Sequence, residues 1–239
     1  MGCIFNALRE VECMNVVEQY NLTLQIEVLK EQSAETLARL CNLVEGSGTS
    51  DCVELLKAYS HIVNTELYLA TSIHELDILK LDMVKLENTI KESLAQASHD
   101  ISDVKAVKET SDVQAIESYS SEDFDKALER TIDFLTFNKN ISSTPRAVIL
   151  GGQSGAGKTT IHRVKMLESK GNYIVIDGDT YRAQHPYFRE LQEKYGVDSV
   201  DYTKMFAGKM VEAVIDKLSS LKYNLIIEGT LRSAAVPIN

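Results

Sequence analysis

From residue 69 to residue 94 the apolar side chains recur every three or four positions: Leu69, Ile73, Leu76, Leu79, Met83, Leu86, Ile90 and Leu94. That spacing lays one narrow seam along an α-helix. Glu75, Asp77, Lys80, Asp82, Lys85, Glu87, Lys91 and Glu92 occupy the rest of its surface. No Gly or Pro interrupts the stretch before Ser98, so the pattern predicts one long amphipathic helix. Its seam either packs inside a helical bundle or docks on another surface, in cis or in trans. Upstream, Leu37, Leu40, Cys41 and Val44 share one stripe, and Ser33 to Glu45 read as a second helix. Gly46-Ser47-Gly48-Thr49-Ser50 breaks it, and Ser50 or Asp51 can cap the next. Residues 22–28 alternate apolar and polar, as a strand would. The flanking Glu18, Lys30 and Glu31, with no Gly or Pro nearby, favour helix there.

The second half has a different rhythm. Residues 98–120 are polar and weakly periodic, a linker or a loosely packed helix. A helix is expected from about Ser121, with Glu122 and Asp123 at its positive end and Phe124, Ala127, Leu128 and Ile132 on its apolar face. Three short apolar runs follow, at 146–150, 173–177 and 224–228, separated by helical stretches at 158–170 and about 201–221. Runs of this kind read as strands buried on both faces of a parallel sheet, in β-α-β order. The expected architecture is an all-α acidic domain over 1–97, a linker over 98–116, and an α/β domain over 117–239.

Charge supports that division. The chain has 239 residues and a formal charge of −10. Residues 1–112 hold 19 acidic and nine basic side chains, whereas residues 113–239 hold 16 of each. Neither half is basic, which argues against a nucleic-acid partner. No apolar run is long enough to span a membrane, the N-terminus lacks the features of a secretory signal, and Asn6 in place of Ser or Thr weakens a myristoylation reading. A cytoplasmic location is the expectation. Cys3, Cys13, Cys41 and Cys52 fit no zinc-binding spacing and read as reduced thiols. His61, His74 and His99 read as structural or solvated. His162 and His185 lie near the candidate chemistry but are not expected to be catalysts.

That chemistry centres on Gly152-Gln153-Ser154-Gly155-Ala156-Gly157-Lys158-Thr159, which satisfies GxxxxGK[ST] between a strand and a helix. Glycines let backbone N–H groups turn inward around phosphate oxygens, and the helix N-terminus adds partial positive charge. Lys158 reaches the β and γ phosphates, and Thr159 can ligate Mg²⁺. Asp177-Gly178-Asp179 ends the second strand and Glu228-Gly229-Thr230 the third. The carboxyl ends of parallel strands line the ligand crevice, so Lys158, Asp179 and Glu228 should converge. A carboxylate there can take an alcohol proton or hold the metal.

These residues carry a resemblance. Leu150 through Arg163, Val175 through Thr180, Gln184-His185-Pro186 and Tyr223 through Arg232 resemble the zeta toxins of epsilon/zeta toxin–antitoxin systems, in their pneumococcal type most of all. The similarity extends over about residues 117–239. It implies a P-loop kinase fold and a reaction: transfer of a phosphate from ATP or GTP, with Mg²⁺, to the 3′-hydroxyl of UDP-N-acetylglucosamine. It implies Asp179 as the general base. Gly152 through Thr159 and Thr160 would hold the nucleotide, and Glu212, Glu228, Thr230 and Arg232 the sugar nucleotide.

Two departures stand out. The family's C-terminal strands and lid arginines have no counterpart before Asn239, which implies a truncated, poor kinase. About 110 acidic, helical residues also precede the resembling part. By position, charge and helicity, residues 14–97 are expected to act as an antitoxin-like inhibitor in cis. The other reading is an inactive remnant that serves as a nucleotide- or protein-binding module.

Overall fold

The computed structural model describes residues 16–45, 50–99, 116, 118–152 and 156–229. The linker expected at 98–116 falls almost wholly outside these residues, as do Cys3 and Cys13. The acidic half is a helical bundle. Helix α1 spans Val16–Glu45 without a break, so the alternation at 22–28 is one face of a helix: Leu22 and Ile26 are buried while Leu24 and Val28 are half-exposed. Helix α2, Ser50–His61, runs on through a π turn at Ile62–Glu66 and a last turn at Leu67–Leu69. Helix α3 spans Ile73–His99.

The single long helix expected through residue 69 is therefore wrong at its start. Ala70 leaves the helical region, at φ −57° and ψ 126°. The stop is a capping arrangement. The Glu75 N–H donates to Ser72 Oγ at 3.2 Å, and the Glu75 carboxylate accepts from the Thr71 N–H at 2.6 Å and from Thr71 Oγ1 at 2.9 Å. Beyond the break the seam behaves as its spacing predicts. Leu76, Met83 and Ile90 are buried against Leu22, Ile26, Leu40, Leu56 and Val63, with Leu79, Leu86 and Leu94 at the margin. Cys41 and Cys52 are buried inside this core.

Helix α4, Ser121–Thr136, opens the second half. Its Ser120 N-cap and Asp123 form a reciprocal capping box. The sheet comprises β1 (Ala147–Gly151), β2 (Ile174–Asp177) and β3 (Leu225–Gly229), all parallel in the order β1-β3-β2. Helix α5 (Lys158–Glu168) follows β1. A 3₁₀ segment at Gly178–Gln184, helix α6 (Phe188–Tyr195) and helix α7 (Ser199–Ser220) connect β2 to β3. This is a small α/β layer of P-loop kinase type.

Alternation along the strands sorts their side chains onto two faces. Ile174, Ile176 and Leu225 face α4 and α7, where Phe206, Met210, Val214 and Leu218 are buried. Val175, Leu150 and Ile226 face α5 and, from the acidic half, Tyr68. The expectation that every strand is covered on both faces fails at β1. Helices α4 and α7 cover β2 and β3 but stop short of it, and Ile149 stays 53% exposed. Among the described residues no helix is long and apolar enough to cross a membrane.

Candidate functional site

The register aligns the carboxyl ends of the strands. Leu150 and Asp177 both lie opposite Glu228. Beside them α5 begins at Gly157, whose φ of +77° is a left-handed conformation that suits glycine; a Cβ there would have open space around it. Together these ends form the floor of a cavity of about 430 Å³ that includes Lys158, Thr159, Asp177, Asp179 and Glu228. One wall comes from the 3₁₀ segment, α6 and the start of α7, through Arg182, Phe188, Gln192 and Thr203; the other, unexpected, comes from α1, through Glu27, Lys30, Glu31, Ala34 and Glu35.

Lys158 projects from the first turn of α5. Its Nζ donates to the Gly152 carbonyl at 3.1 Å and lies 3.3 Å from Glu228 Oε1. Burial, and then the neighbouring Asp177 charge, raise the Glu228 pKa. His162, one turn further along α5, is fully buried, with Nε2 3.4 Å from Glu228 Oε2. Its ring nitrogens make no hydrogen bond, and burial holds its pKa down at about 4. The ring is therefore neutral at physiological pH, and the Glu228 contact is not an ion pair.

The acidic half meets this floor at two points. The Thr159 hydroxyl donates a short hydrogen bond to Glu27. Lys30 Nζ lies 2.9 Å from Asp177 Oδ2, and both side chains are mostly buried. Burial opposes the Lys30 charge, but the Tyr68 ring and the Asp177 carboxylate beside it raise its pKa. Burial likewise opposes the Asp177 charge, and Lys30 outweighs it, so this carboxyl titrates below its ordinary range. Asp177 has a second task. Its Oδ1 accepts the Asp179 backbone N–H at 3.2 Å, which fixes the turn that carries Asp179. The Asp179 side chain is 83% exposed, and Arg182 Nε donates to its Oδ1 at 3.0 Å.

The structure thus brings Lys158, Thr159, Asp179 and Glu228 to one cavity. Gly152, Ala156, Gly157 and Thr160 frame the visible part of the loop. Gln153, Ser154, Gly155, Thr230 and Arg232 lie outside the described residues. Glu212 does not join the site; it is exposed on α7 and lines no part of the cavity. Sequence reasoning missed Glu27 and Lys30. They sit one helical turn apart on a helix whose orientation no local pattern reveals. It also passed over Asp177, read there only as the end of the second strand.

The donor set suits a triphosphate with a divalent cation: one ammonium, a helix N-terminus opened by glycine, and a hydroxyl at the second helical position. Among the described residues no group of three or more metal-ligating side chains forms. A cation here would depend on Thr159 and on the nucleotide itself.

Comparison with known proteins divides the chain at the same place. Residues 128–238 match the zeta toxin family model, and residues 18–93 match the model for bacterial epsilon antitoxin. Toxin PezT of Streptococcus pneumoniae is 59% identical over 122 residues, which cover 51% of this chain and 48% of that protein. Toxin zeta of Streptococcus agalactiae is 41% identical over 123 residues, covering 52% and 43%. A solved structure of the PezAT chromosomal toxin–antitoxin system of S. pneumoniae aligns at TM-score 0.50 and 58% identity, over 52% of this chain and 50% of that one. The chain spans about half the length of the curated relatives it matches.

Proposed function

We propose, from a zeta toxin domain that follows an epsilon antitoxin domain in one chain, that this protein is a toxin kinase held inactive by its own N-terminal half. The reaction is transfer of the terminal phosphate of ATP or GTP to the 3′-hydroxyl of UDP-N-acetylglucosamine. A bond forms between the sugar oxygen and the phosphorus, the bridging bond to the diphosphate breaks, and the hydroxyl proton passes to a carboxylate. Asp179 is that base. Its exposure at the cavity mouth and the fixed turn beneath it support the assignment. Lys158 and the opening of α5 bind the phosphates, Thr159 ligates Mg²⁺, and Glu228 and the chain beyond it contact the sugar nucleotide. The cation would spread negative charge away from the transferring group.

The observation that carries inhibition in cis is the seat of α1. Glu27 occupies the Thr159 hydroxyl, and its negative charge stands where phosphate oxygens would come. Lys30 draws Asp177 into an ion pair. A nucleotide and α1 compete for one place. The test is phosphate transfer to UDP-N-acetylglucosamine by the full chain and by Glu27→Ala/Lys30→Ala, with Lys158→Ala added as a control. Transfer by the double variant, much reduced in the parent chain and absent from the triple variant, is the expected result. Equal transfer by the parent and double variants would rule out the inhibitory role.

A further inference from the structure

The two halves also meet away from the nucleotide cavity, and there they exchange core residues. Tyr68, at the end of α2, is 1% exposed and buried with Leu150, Met166, Tyr173, Val175 and Ile226 of the α/β half. Its ring meets His162 edge-on, with centroids 5.6 Å apart. In return Phe134 of α4 is buried in the helical core with Leu22, Leu40, Leu56 and Val63. His61 packs edge-on against Phe137, 5.9 Å between centroids.

Two cations of the α/β half bind the same connection. Arg163 is buried; its Nη2 donates to the Ala70 carbonyl at 2.6 Å and its Nη1 to Thr23 Oγ1 at 3.1 Å. The Ala70 carbonyl is one that the end of the helix leaves without a helical partner. Lys139 Nζ donates to Thr65 Oγ1 at 2.7 Å and to the Gly171 carbonyl at 2.6 Å. The fit is tight: a Cβ built on Gly171 would stand 2.9 Å from Thr65 Cγ2.

From this we infer that residues 61–70, with Thr23 of α1, are a permanent anchor on the α/β half, one that adjoins the inhibitory seat of Glu27 and Lys30 but does not depend on it. The inference rests on the reading of α1 as the inhibitor and specifies how that inhibitor is regulated. The two contacts differ in kind. The anchor buries aromatic side chains and satisfies backbone carbonyls. The seat consists of two polar contacts at the edge of an open cavity, which phosphate and a cation can replace. A nucleotide therefore displaces the Glu27 and Lys30 side chains from the phosphate loop while α1 and the rest of the helical half remain attached.

The test uses the full chain with a protease site inserted in residues 100–115, cut after purification. Size-exclusion chromatography then reads whether the halves travel together, and a fluorescent ATP analogue reads access to the loop. Glu27→Ala/Lys30→Ala is expected to raise analogue affinity at least tenfold while the cut halves still co-elute. Tyr68→Ala/Arg163→Ala is expected to weaken the association of the halves about 100-fold or more, as loss of a buried aromatic and an arginine does at interfaces. If the latter fails to fold, Arg163→Gln alone, or Phe134→Leu, supplies the comparison. Separation of the halves in the Glu27/Lys30 variant would overturn the anchor, because the seat would then be the main attachment. So would a dissociation constant for the folded Tyr68/Arg163 variant, read from a dilution series of the cut halves, within a few-fold of the parent's. Unchanged analogue affinity in the Glu27/Lys30 variant, with intact co-elution, would instead defeat the inhibitory reading and leave the anchor standing.

Discussion

Lys30→Met gives the sharpest test of the seat. The variant keeps the length and apolar stem of the side chain and removes only its charge. Breaking a fully buried ion pair costs ~3–5 kcal/mol, because the remaining charge is left uncompensated. The Lys30 and Asp177 side chains keep 15% and 21% of their exposure, so water screens part of that loss. A loss of about 2 kcal/mol from the closed arrangement is the working figure. If the closed state dominates, the open fraction and the apparent affinity for ATP rise together, by about 30-fold. Simple electrostatics predicts the opposite sign. Removing a cation beside a phosphate site should weaken binding of an anionic nucleotide. The two accounts are separated by titrating a fluorescent ATP analogue into the parent chain and into Lys30→Met, with circular dichroism confirming the fold. Equal or weaker binding by the folded variant would refute the competition argument.

Other expectations follow from particular residues. His162 and His185 are buried, and burial holds both at about 4, below the ordinary 6.5. Above about pH 6.5 the ring is neutral whether the chain is folded or not. As pH falls towards 4 the unfolded chain takes up protons that the folded one refuses, so stability falls, by up to ~3 kcal/mol per ring. Chemical denaturation at pH 7 and pH 4.5 measures this, and His185→Asn should flatten the slope. Phe206 is fully buried, with edge-on partners in Tyr119, Phe124 and His185. Phe206→Ala should cost ~3–5 kcal/mol of stability in the same assay. Ser120→Ala removes the α4 cap and should cost about 1 kcal/mol. Asp179→Asn should lower phosphate transfer ~10²–10⁴-fold in the unblocked chain while ATP binding stays unchanged.

Much of the architecture was legible where local chemistry dictates it. Each of the three apolar runs became a strand that starts one residue later than expected, the loop-to-helix motif opened α5 at Lys158, and Ser120 with Asp123 started α4 where the acidic first turn predicted. The failures have physical causes. The break at Ala70–Ser72 carries no Gly or Pro; its signal is Thr71-Ser72-x-x-Glu75, a capping pattern masked by an apolar spacing that continues across it. Ile149 was expected inside because its strand is apolar, but how far α4 and α7 extend over a sheet is a tertiary property. Phe134 sits on the helix of one half and in the core of the other, which no periodicity distinguishes. Lys30 and Asp177 are 147 positions apart. Each looks like an ordinary surface charge until the fold brings them together. Position, helicity and the imbalance of acid between the halves were the signals that one would lie against the phosphate site of the other.

If one chain holds both a phosphate-transferring site and the helix that blocks it, disarming that helix must release the activity. The most direct measurement incubates ATP and UDP-N-acetylglucosamine with the Glu27→Ala/Lys30→Met chain and follows the products by mass spectrometry. A phosphorylated sugar nucleotide is expected, absent when Lys158→Ala is added and much reduced with the parent chain. A folded double variant that binds ATP and yields no phosphorylated product would contradict it.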